Sequence, residues 1–159
     1  MTKADRYRKL IIFSDGAARG NPGPAGAGGQ VKSPSGKVLC EISEYLGETT
    51  NNAAEYKALI LTIERALAYH PEELDINADS ELLVKQLKGE YKVKNEGLKP
   101  LYERVKHLLA GLKRVGIRHI YRSENAEADR LANTAIDKFA KGEKGEKKLG
   151  DVPEQGSLF

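Results

Sequence analysis

The chain has 159 residues, a length that suits one domain with one hydrophobic core. It contains no apolar run of about 18 residues, which argues against a membrane span, and no apolar segment typical of a signal peptide follows its charged N-terminus. The single cysteine, Cys40, cannot form an internal disulfide and fits a reducing cytosol, so we expect a cytoplasmic protein without a membrane partner. The formal net charge is +3, and the lysine-rich residues 85–113 suit either a polyanion-binding surface or a solvated helix face.

The first part of the chain predicts an antiparallel meander of three strands. Residues 10–13 form a short apolar run typical of a buried strand, and Asp15 follows where this strand is expected to end. The small residues that come next let another backbone approach closely. A carboxylate beside them suggests a metal or phosphate site, although taken alone the stretch favours a strand followed by an Asx turn. Two more strands are expected at residues 30–33 and 37–43, joined by a tight turn.

The next segment, residues 53–70, predicts an amphipathic helix. Either Asn51 or Asn52 can cap it. Its apolar residues recur at helical spacing and define a buried face: Tyr56, Leu59, Ile60, Ile63 and Leu67. Glu55 is expected in the first turn, where a carboxylate interacts favourably with the helix dipole without any chemical role.

The second half of the chain predicts two more strands and three helices. The strands are expected at residues 74–78 and 117–121, and the helices at residues 81–87, 98–115 and 126–140. Asp79 follows a strand, where an aspartate commonly caps a helix, and Asp129 lies in the first turns of the last helix. This order predicts an α/β fold whose mixed five-stranded sheet has three antiparallel and two parallel strands, with helices on both faces.

Four carboxylates occupy comparable places in this plan. Asp15 and Asp79 end strands, while Glu55 and Asp129 lie near helix starts. If the four converge, their repulsion in a partly buried place would be severe, and divalent cations would relieve it. Ligands that are all oxygen favour Mg²⁺ or Mn²⁺ over zinc. Two such ions about 3.5–4 Å apart would suit an in-line displacement at phosphorus.

Four segments, in this order and spacing, resemble type 1 ribonucleases H: SDGAARGNPGPAGAG, TTNNAAEYKALI, ADSELLVKQL and ENAEADRLAN. The resemblance covers residues 9–140 and implies a ribonuclease H-like fold. It also implies a metal-dependent endonuclease that hydrolyses the RNA strand of RNA–DNA hybrids and leaves 5′-phosphate and 3′-hydroxyl ends. By the same resemblance, Asp15 and Asp129 hold one Mg²⁺ and Asp15, Glu55 and Asp79 hold a second, with Mn²⁺ as a substitute.

The resemblance assigns substrate contacts as well. Asn21, Asn51 and Asn52 would contact the hybrid in its minor groove, including RNA 2′-hydroxyls, by which a protein distinguishes RNA from DNA. Thr50 and Asn95 would belong to a pocket for a phosphate of the DNA strand. Outside the resemblance, these asparagines are ordinary cap and turn formers.

The sequence departs from better-known members of that family in three ways. Many members carry a mobile histidine before the last helix, but this loop has none, so Arg122 or Glu124 would replace it; we favour Arg122 and expect His119 to be structural. Residues 85–99 are shorter than the tryptophan-bearing basic handle of some members, and the chain has no tryptophan. We also expect no N-terminal hybrid-binding domain like that of eukaryotic members, so the resemblance is to a compact form.

Beyond the predicted catalytic domain, residues 1–140, residues 141–159 are rich in glycine and charge and predict a flexible C-terminal tail. The tail contains Gln155, Leu158 and Phe159, which resemble the peptide by which bacterial replication and repair proteins dock on the DNA sliding clamp. We expect a monomer. The alternative function is a hybrid-binding module without catalysis, which the presence of all four acids disfavours; a protein–protein role of the tail is compatible with either function.

Overall fold

The computed structural model describes residues 7–142 and contains a five-stranded sheet. The strands are β1 (Lys9–Ala18), β2 (Gly23–Lys32), β3 (Val38–Thr49), β4 (Glu73–Ala78) and β5 (Arg114–His119). The helices are α1 (Asn51–Leu67), α2 (Glu81–Leu87), α3 (Lys99–Leu109) and α4 (Ala126–Gly142), and a 3-10 turn (Arg122–Asn125) precedes α4. The strand order is β3-β2-β1-β4-β5, with β1–β2 and β2–β3 antiparallel and β1–β4 and β4–β5 parallel. The predicted mixed sheet is therefore confirmed.

The main helices cover opposite faces of the sheet. Gly28 and Gly29 are neighbours on β2, and their Cα atoms lie against Ala128 of α4 and Thr62 of α1, respectively. Because successive residues of a strand point to opposite faces, α1 and α4 lie on different sides of the sheet. Most of the core lies on the α1 side, and the predicted apolar face of α1 is confirmed, since Tyr56 and Leu59 are fully buried there. Within residues 7–142, no helix is long and apolar enough to cross a membrane.

The glycine-rich stretch after Asp15 is mostly strand, which corrects the predicted turn. β1 continues to Ala18 and β2 already begins at Gly23, so only residues 19–22 form the connection. The small residues are required for packing, because a Cβ atom on Gly28 would overlap the carbonyl oxygen of Ala128 in α4. Glycine therefore allows α4 to approach the backbone of β2, and the turn-like composition reflects this close approach.

Two helix caps differ from the prediction. Thr50 caps α1, since its Oγ1 accepts a hydrogen bond from the Ala53 amide at 3.2 Å, so neither Asn51 nor Asn52 is the cap. Ser80 caps α2 through a 3.2 Å hydrogen bond from the Leu83 amide, so Asp79 is not a cap either. These hydroxyl caps leave the neighbouring amide and carboxylate side chains available for other contacts.

Several element ends also differ from the prediction. β3 continues through the predicted connection to Thr49, and Glu55 lies beyond the first turn of α1. α3 ends at Leu109 rather than at residue 115, because the Lys113 amide already donates to the Glu72 carbonyl at 2.8 Å, where β5 starts to pair with β4. β5 accordingly runs from Arg114 to His119, and α4 extends two residues beyond the predicted residue 140.

Candidate active site

The end of the parallel pairing between β1 and β4 places two carboxylates side by side. The last paired residues are Ser14 and Ala78. Asp79 directly follows β4, as predicted, whereas Asp15 lies within β1 and not at its end, and the two are the next residues after the paired segment. Glu55 joins them from α1, and one carboxylate oxygen from each of the three residues lies within 4.8 Å of the others. Three of the four carboxylates therefore converge, namely Asp15, Glu55 and Asp79.

Gly16 allows Glu55 to reach this position. A Cβ atom on Gly16 would overlap the carbonyl group of Ala54, so only glycine lets the start of α1 pack this closely on β1. The Gly16 amide also donates a hydrogen bond to Oε1 of Glu55 at 3.2 Å. The glycine after Asp15 thus brings the second carboxylate close and orients it.

Asp129 approaches Asp15 from α4. Asp15 is paired across the sheet with Gly28, the residue on which Ala128 packs, so both aspartates lie on the α4 face. Asn133, one helical turn later, donates from Nδ2 to the Asp129 carbonyl at 3.0 Å and to its carboxylate at 3.3 Å. The Asn133 Oδ1 in turn accepts a 3.0 Å hydrogen bond from Arg19, and this chain of contacts fixes Asp129.

The cluster carries strong mutual repulsion. Burial raises the pKa of Asp15 from its ordinary value of 3.8 to about 10, and the charges of Glu55, Asp79 and Asp129 add to this effect. Burial and the Asp79 charge raise the pKa of Glu55 to about 8, while the Gly16 amide and the Arg122 charge act in the opposite direction. An all-oxygen donor set with this excess of negative charge suits a hard divalent cation such as Mg²⁺ or Mn²⁺.

Asn125 orients Asp79 and was not identified from the sequence. Its Nδ2 donates to the Asp79 carboxylate at 2.8 Å and to the Ser14 carbonyl at 2.9 Å, and only 2% of its surface is exposed. Its Oδ1 is buried and has no hydrogen-bond partner within residues 7–142. An asparagine just before a helix is typical of an exposed cap or turn residue, so the sequence did not predict the burial of Asn125.

In the loop before α4, Arg122 and Glu124, the two candidates to replace the missing histidine, have different contacts. Glu124 accepts a 3.0 Å hydrogen bond from the Tyr121 amide and so closes the 3-10 turn. Arg122 is exposed, and its charge lies close enough to Glu55 to act on the pKa of that carboxyl. His119 lies within β5, as expected, where its ring contacts Tyr121 edge to face with centroids 6.4 Å apart. The loop geometry therefore favours Arg122 over Glu124.

The candidate substrate-binding asparagines share one arrangement. Oδ1 of Asn21 accepts from the Asn51 amide, and Oδ1 of Asn51 accepts from the Ala18 amide, each at 3.1 Å. Oδ1 of Asn95 accepts from the amides of Gly97 and Leu98 at 2.7 and 3.2 Å. In the part of the chain that the structure describes, none of these three Nδ2 groups donates a hydrogen bond. Their exposed donors are thus held in fixed directions.

Four of the predicted binding residues line one cavity. Asn21, Thr50, Asn52 and Asn95 border a space of about 560 Å³ between the start of α1 and the start of α3. Asn51 lies at its edge through its contact with Asn21. Gln155, Leu158 and Phe159 fall outside the described residues.

The raised pKa of Asp15 predicts a pH-dependent effect of Asp15→Asn on stability. The Asp15 carboxyl binds its proton more tightly in the folded chain than in the unfolded chain. Without metal, this carboxyl therefore lowers the free energy of unfolding progressively as pH rises from about 4 towards 10. We expect Asp15→Asn in EDTA to raise the Tm at pH 8 by at least about 3 °C, since 1 kcal/mol corresponds to about 2–4 °C in a domain of this size. The gain should shrink by pH 5 in thermal melts; a lower Tm at pH 8 would contradict this electrostatic account.

Comparison with known proteins agrees with this geometry. A family model described as "Reverse transcriptase-like" matches residues 13–135. Ribonuclease HI of Halobacterium salinarum is 37% identical over 137 residues, which cover 86% of this chain and 69% of that protein. The bifunctional protein Rv2228c of Mycobacterium tuberculosis is 40% identical over 83% of this chain, which spans only 36% of that relative's length. The solved structure of LC11-RNase H1 in complex with RNA/DNA hybrid has a TM-score of 0.79 at 43% identity and covers 82% of this chain and 99% of that one. By sequence and by fold, the chain belongs to the ribonuclease HI family.

Proposed function

We propose that this chain is an endonuclease that hydrolyses the RNA strand of RNA–DNA hybrids and leaves 5′-phosphate and 3′-hydroxyl ends. The observation that carries the proposal is the convergence of Asp15, Glu55 and Asp79 within 4.8 Å, with Asp129 beside Asp15. The structure of the relative LC11-RNase H1 with RNA/DNA hybrid supports the substrate class. Exposed amide donors on the same edge of the fold suit a nucleic-acid ligand.

Each acidic residue has a place in the proposed chemistry. Asp15, Glu55 and Asp79 would hold one divalent cation, and Asp15 and Asp129 a second. Bound there, Mg²⁺ or Mn²⁺ supplies a Lewis acid that polarises the scissile phosphodiester and lowers the pKa of the attacking water. Asn125 and Asn133 keep Asp79 and Asp129 turned towards the cluster, so the carboxylates need little reorganisation when substrate binds.

We assign Arg122 an electrostatic role in the same reaction. A guanidinium stays protonated at any pH at which the enzyme works, so it cannot accept a proton as a histidine would. Its charge near Glu55 can instead stabilise the negative charge that develops on the phosphate and hold or release the cleaved end.

The proposed specificity comes from the amide donors. Nδ2 of Asn21, Asn51 and Asn52 can donate to the 2′-hydroxyls and base edges of the hybrid minor groove. Asn95 and Thr50, which border the cavity between α1 and α3, would contact a phosphate of the DNA strand. Duplex DNA lacks the 2′-hydroxyls and should therefore be a poor substrate.

A hybrid-binding module without catalysis is the alternative, and the charge of the site disfavours it. Clustered carboxylates repel a polyanion, and Asp15 and Glu55 have raised pKa values there, so a surface that only bound nucleic acid would bind it better without them. Two divalent cations held by the same carboxylates would neutralise their charge and supply a Lewis acid for a phosphate, which gives the cluster a function.

The remaining proposals concern the whole chain. We assign residues 1–140 to a monomeric catalytic domain in the cytoplasm and residues 141–159 to a tail. Gln155, Leu158 and Phe159 would dock on the sliding clamp, with the glutamine at the mouth of an apolar pocket that the other two fill. Such a peptide alone should bind at about micromolar strength, and attachment to a nuclease on the hybrid would raise its effective affinity.

The first prediction of this function concerns Asp15 and the substrate. In Mg²⁺, Asp15→Asn should abolish cleavage of labelled hybrid yet retain hybrid binding, because it removes a ligand common to both cations. Asp75→Asn, which removes a carboxylate from the far end of β4, is the matched control and should remain active. Near-normal turnover by Asp15→Asn, or equal cleavage of hybrid and duplex DNA at one salt concentration, would overturn the assignment.

The second prediction concerns Arg122. Arg122→Ala should lower kcat by about tenfold or more through loss of an electrostatic contact, while Mn²⁺ binding stays intact. Arg122→Lys, which keeps the charge, should recover part of the rate. Single-turnover and steady-state rates would separate bond cleavage from product release. If kcat and the pH–rate profile do not change in Arg122→Ala, the residue has no such role.

The third prediction concerns the tail. A chain that ends at Glu154 should lose binding to the cognate sliding clamp in a calorimetric titration, because it lacks the proposed docking residues. Its hybrid cleavage without clamp should match that of the full chain, which controls for folding. Equal clamp binding by both chains would reject the docking proposal.

A further inference from the structure

Arg19 has no role in the proposed function, yet its guanidinium joins the loop between β1 and β2 to α4. Nη2 of Arg19 donates to Oδ1 of Asn133 at 3.0 Å, and Nη1 pairs with the Asp137 carboxylate at 2.8 Å. A longer contact of 3.4 Å runs from Nη2 to the Asn133 carbonyl. The guanidinium is thus fixed on the side of α4, one helical turn beyond Asp129.

The loop holds Arg19 in place through its own backbone. The Arg19 amide donates to the Pro24 carbonyl at 2.8 Å, which closes the loop. Gly20 has a φ of 118°, which glycine adopts readily and other residues rarely do. Asn21, in the same loop, is anchored separately, because its Oδ1 accepts from the Asn51 amide. Loss of the Arg19 side chain should therefore leave Asn21 in position to contact the hybrid.

The contact with Arg19 determines which way the Asn133 amide faces. A guanidinium can only donate hydrogen bonds, so it selects Oδ1 of Asn133 and leaves Nδ2 for Asp129. Nδ2 then donates to the Asp129 carboxylate at 3.3 Å and to the Asp129 carbonyl at 3.0 Å. An amide turned by 180° would instead direct Oδ1 towards an ionised carboxylate, which has only acceptors. Arg19 thus disfavours the orientation in which Asn133 would repel Asp129.

The ion pair with Asp137 does not account for this arrangement. The side chains of Arg19 and Asp137 are 44% and 57% exposed, and ion pairs between such exposed side chains contribute little to stability. The contact with Asn133 differs, because it continues to a residue of the carboxylate cluster. Residues that hydrogen-bond a metal ligand fix its orientation, and their loss commonly weakens metal binding by about 10–100-fold.

We propose that Arg19 is a positioning residue for Asp129. Through the Asn133 amide, it orients the Asp129 carboxylate for the divalent cation that Asp129 and Asp15 would share. This inference rests on the proposed function, since it takes the carboxylate cluster as a cation site. It assigns Arg19 no contact with the cation or with the reacting atoms.

The test compares Arg19→Met, which removes the guanidinium donors, with Arg19→Lys, which keeps a charged donor. Asn133→Ala removes the amide, and the double variant Arg19→Met/Asn133→Ala tests whether the two residues act through one contact. Arg65→Met is the matched control. Arg65 is 47% exposed and pairs with Glu44, as Arg19 pairs with a carboxylate, but it lies in the last turn of α1, away from the cluster.

Mn²⁺ binding is measured without substrate, from the rise in Tm with Mn²⁺ concentration, because a ligand that binds only the folded chain stabilises it. In Arg19→Met and in Asn133→Ala, the Mn²⁺ concentration needed for the same rise in Tm should increase about tenfold. The double variant should show no more than the Asn133→Ala effect, because the two residues act through one contact. Arg19→Lys should recover part of the Mn²⁺ response, and Arg65→Met should match the unsubstituted protein.

Hybrid cleavage supplies a second measurement. In Arg19→Met, the Mg²⁺ concentration at half-maximal rate should rise about tenfold, and excess Mg²⁺ should restore most of the lost rate, because the carboxylates themselves are unchanged. KM for the hybrid, and hybrid affinity in EDTA, should stay within about twofold of the unsubstituted values, since Asn21 keeps its contacts.

Equal Mn²⁺ responses of Arg19→Met and the unsubstituted protein would overturn the proposal. Additive losses in the double variant, or weaker hybrid binding by Arg19→Met in EDTA, would show that Arg19 supports the fold or the loop and would also overturn it. Failure of the proposed function is a separate result. The unsubstituted protein would then bind Mn²⁺ without cleaving hybrid in Mg²⁺, and the Mn²⁺ responses would still test the role of Arg19.

Discussion

The burial of Asp15 beside three other carboxylates is the constraint on which the rest of the site depends. Its pKa rises to about 10 because the side chain loses water and gains negative neighbours at the same time. The Gly16 amide and the charge of Arg122 oppose the rise in the pKa of Glu55, but the surrounding residues keep the carboxylates close together. Gly16 admits Glu55, Gly28 admits the α4 helix that carries Asp129, and Asn125 and Asn133 hold Asp79 and Asp129 in place. Without bound cations, this cluster of carboxylates reduces the stability of the fold. The same cluster is well suited to binding divalent cations that contact a phosphate.

The asparagines of the site have two roles. They differ in whether Nδ2 or Oδ1 of the side-chain amide makes the hydrogen bond within the protein. Asn125 and Asn133 direct Nδ2 inward, to the carboxylates of Asp79 and Asp129. Asn21, Asn51 and Asn95 direct Oδ1 inward, to backbone amides, and keep Nδ2 at the surface. The first group orients the proposed catalytic residues, and the second presents fixed donors to a ligand rich in acceptors. This division explains why one residue type serves both the chemistry and the recognition.

The sheet and the acidic cluster were predictable from the sequence because their signals are local. Apolar runs marked β1 and β4, and a carboxylate followed each run, so the parallel pairing alone brought Asp15 and Asp79 together. Other features depended on contacts between distant residues. The small residues of β2 permit close approach of another backbone, but the sequence does not show that α4 is the element that packs on them. Likewise, nothing in the sequence shows that contacts with Ser14 and Asp79 bury Asn125.

The central claim is that the clustered carboxylates hold two divalent cations that share Asp15. Anomalous diffraction at the manganese edge, from crystals of the Asp79→Asn variant grown with hybrid and Mn²⁺, tests it most directly. This substitution is expected to slow cleavage while keeping Asp15, Glu55 and Asp129 as candidate ligands. The account predicts two manganese peaks, each in contact with the Asp15 carboxylate and with the scissile phosphate of the RNA strand. Manganese peaks that lie away from Asp15, or a hybrid whose RNA strand lies away from the cluster, would contradict it.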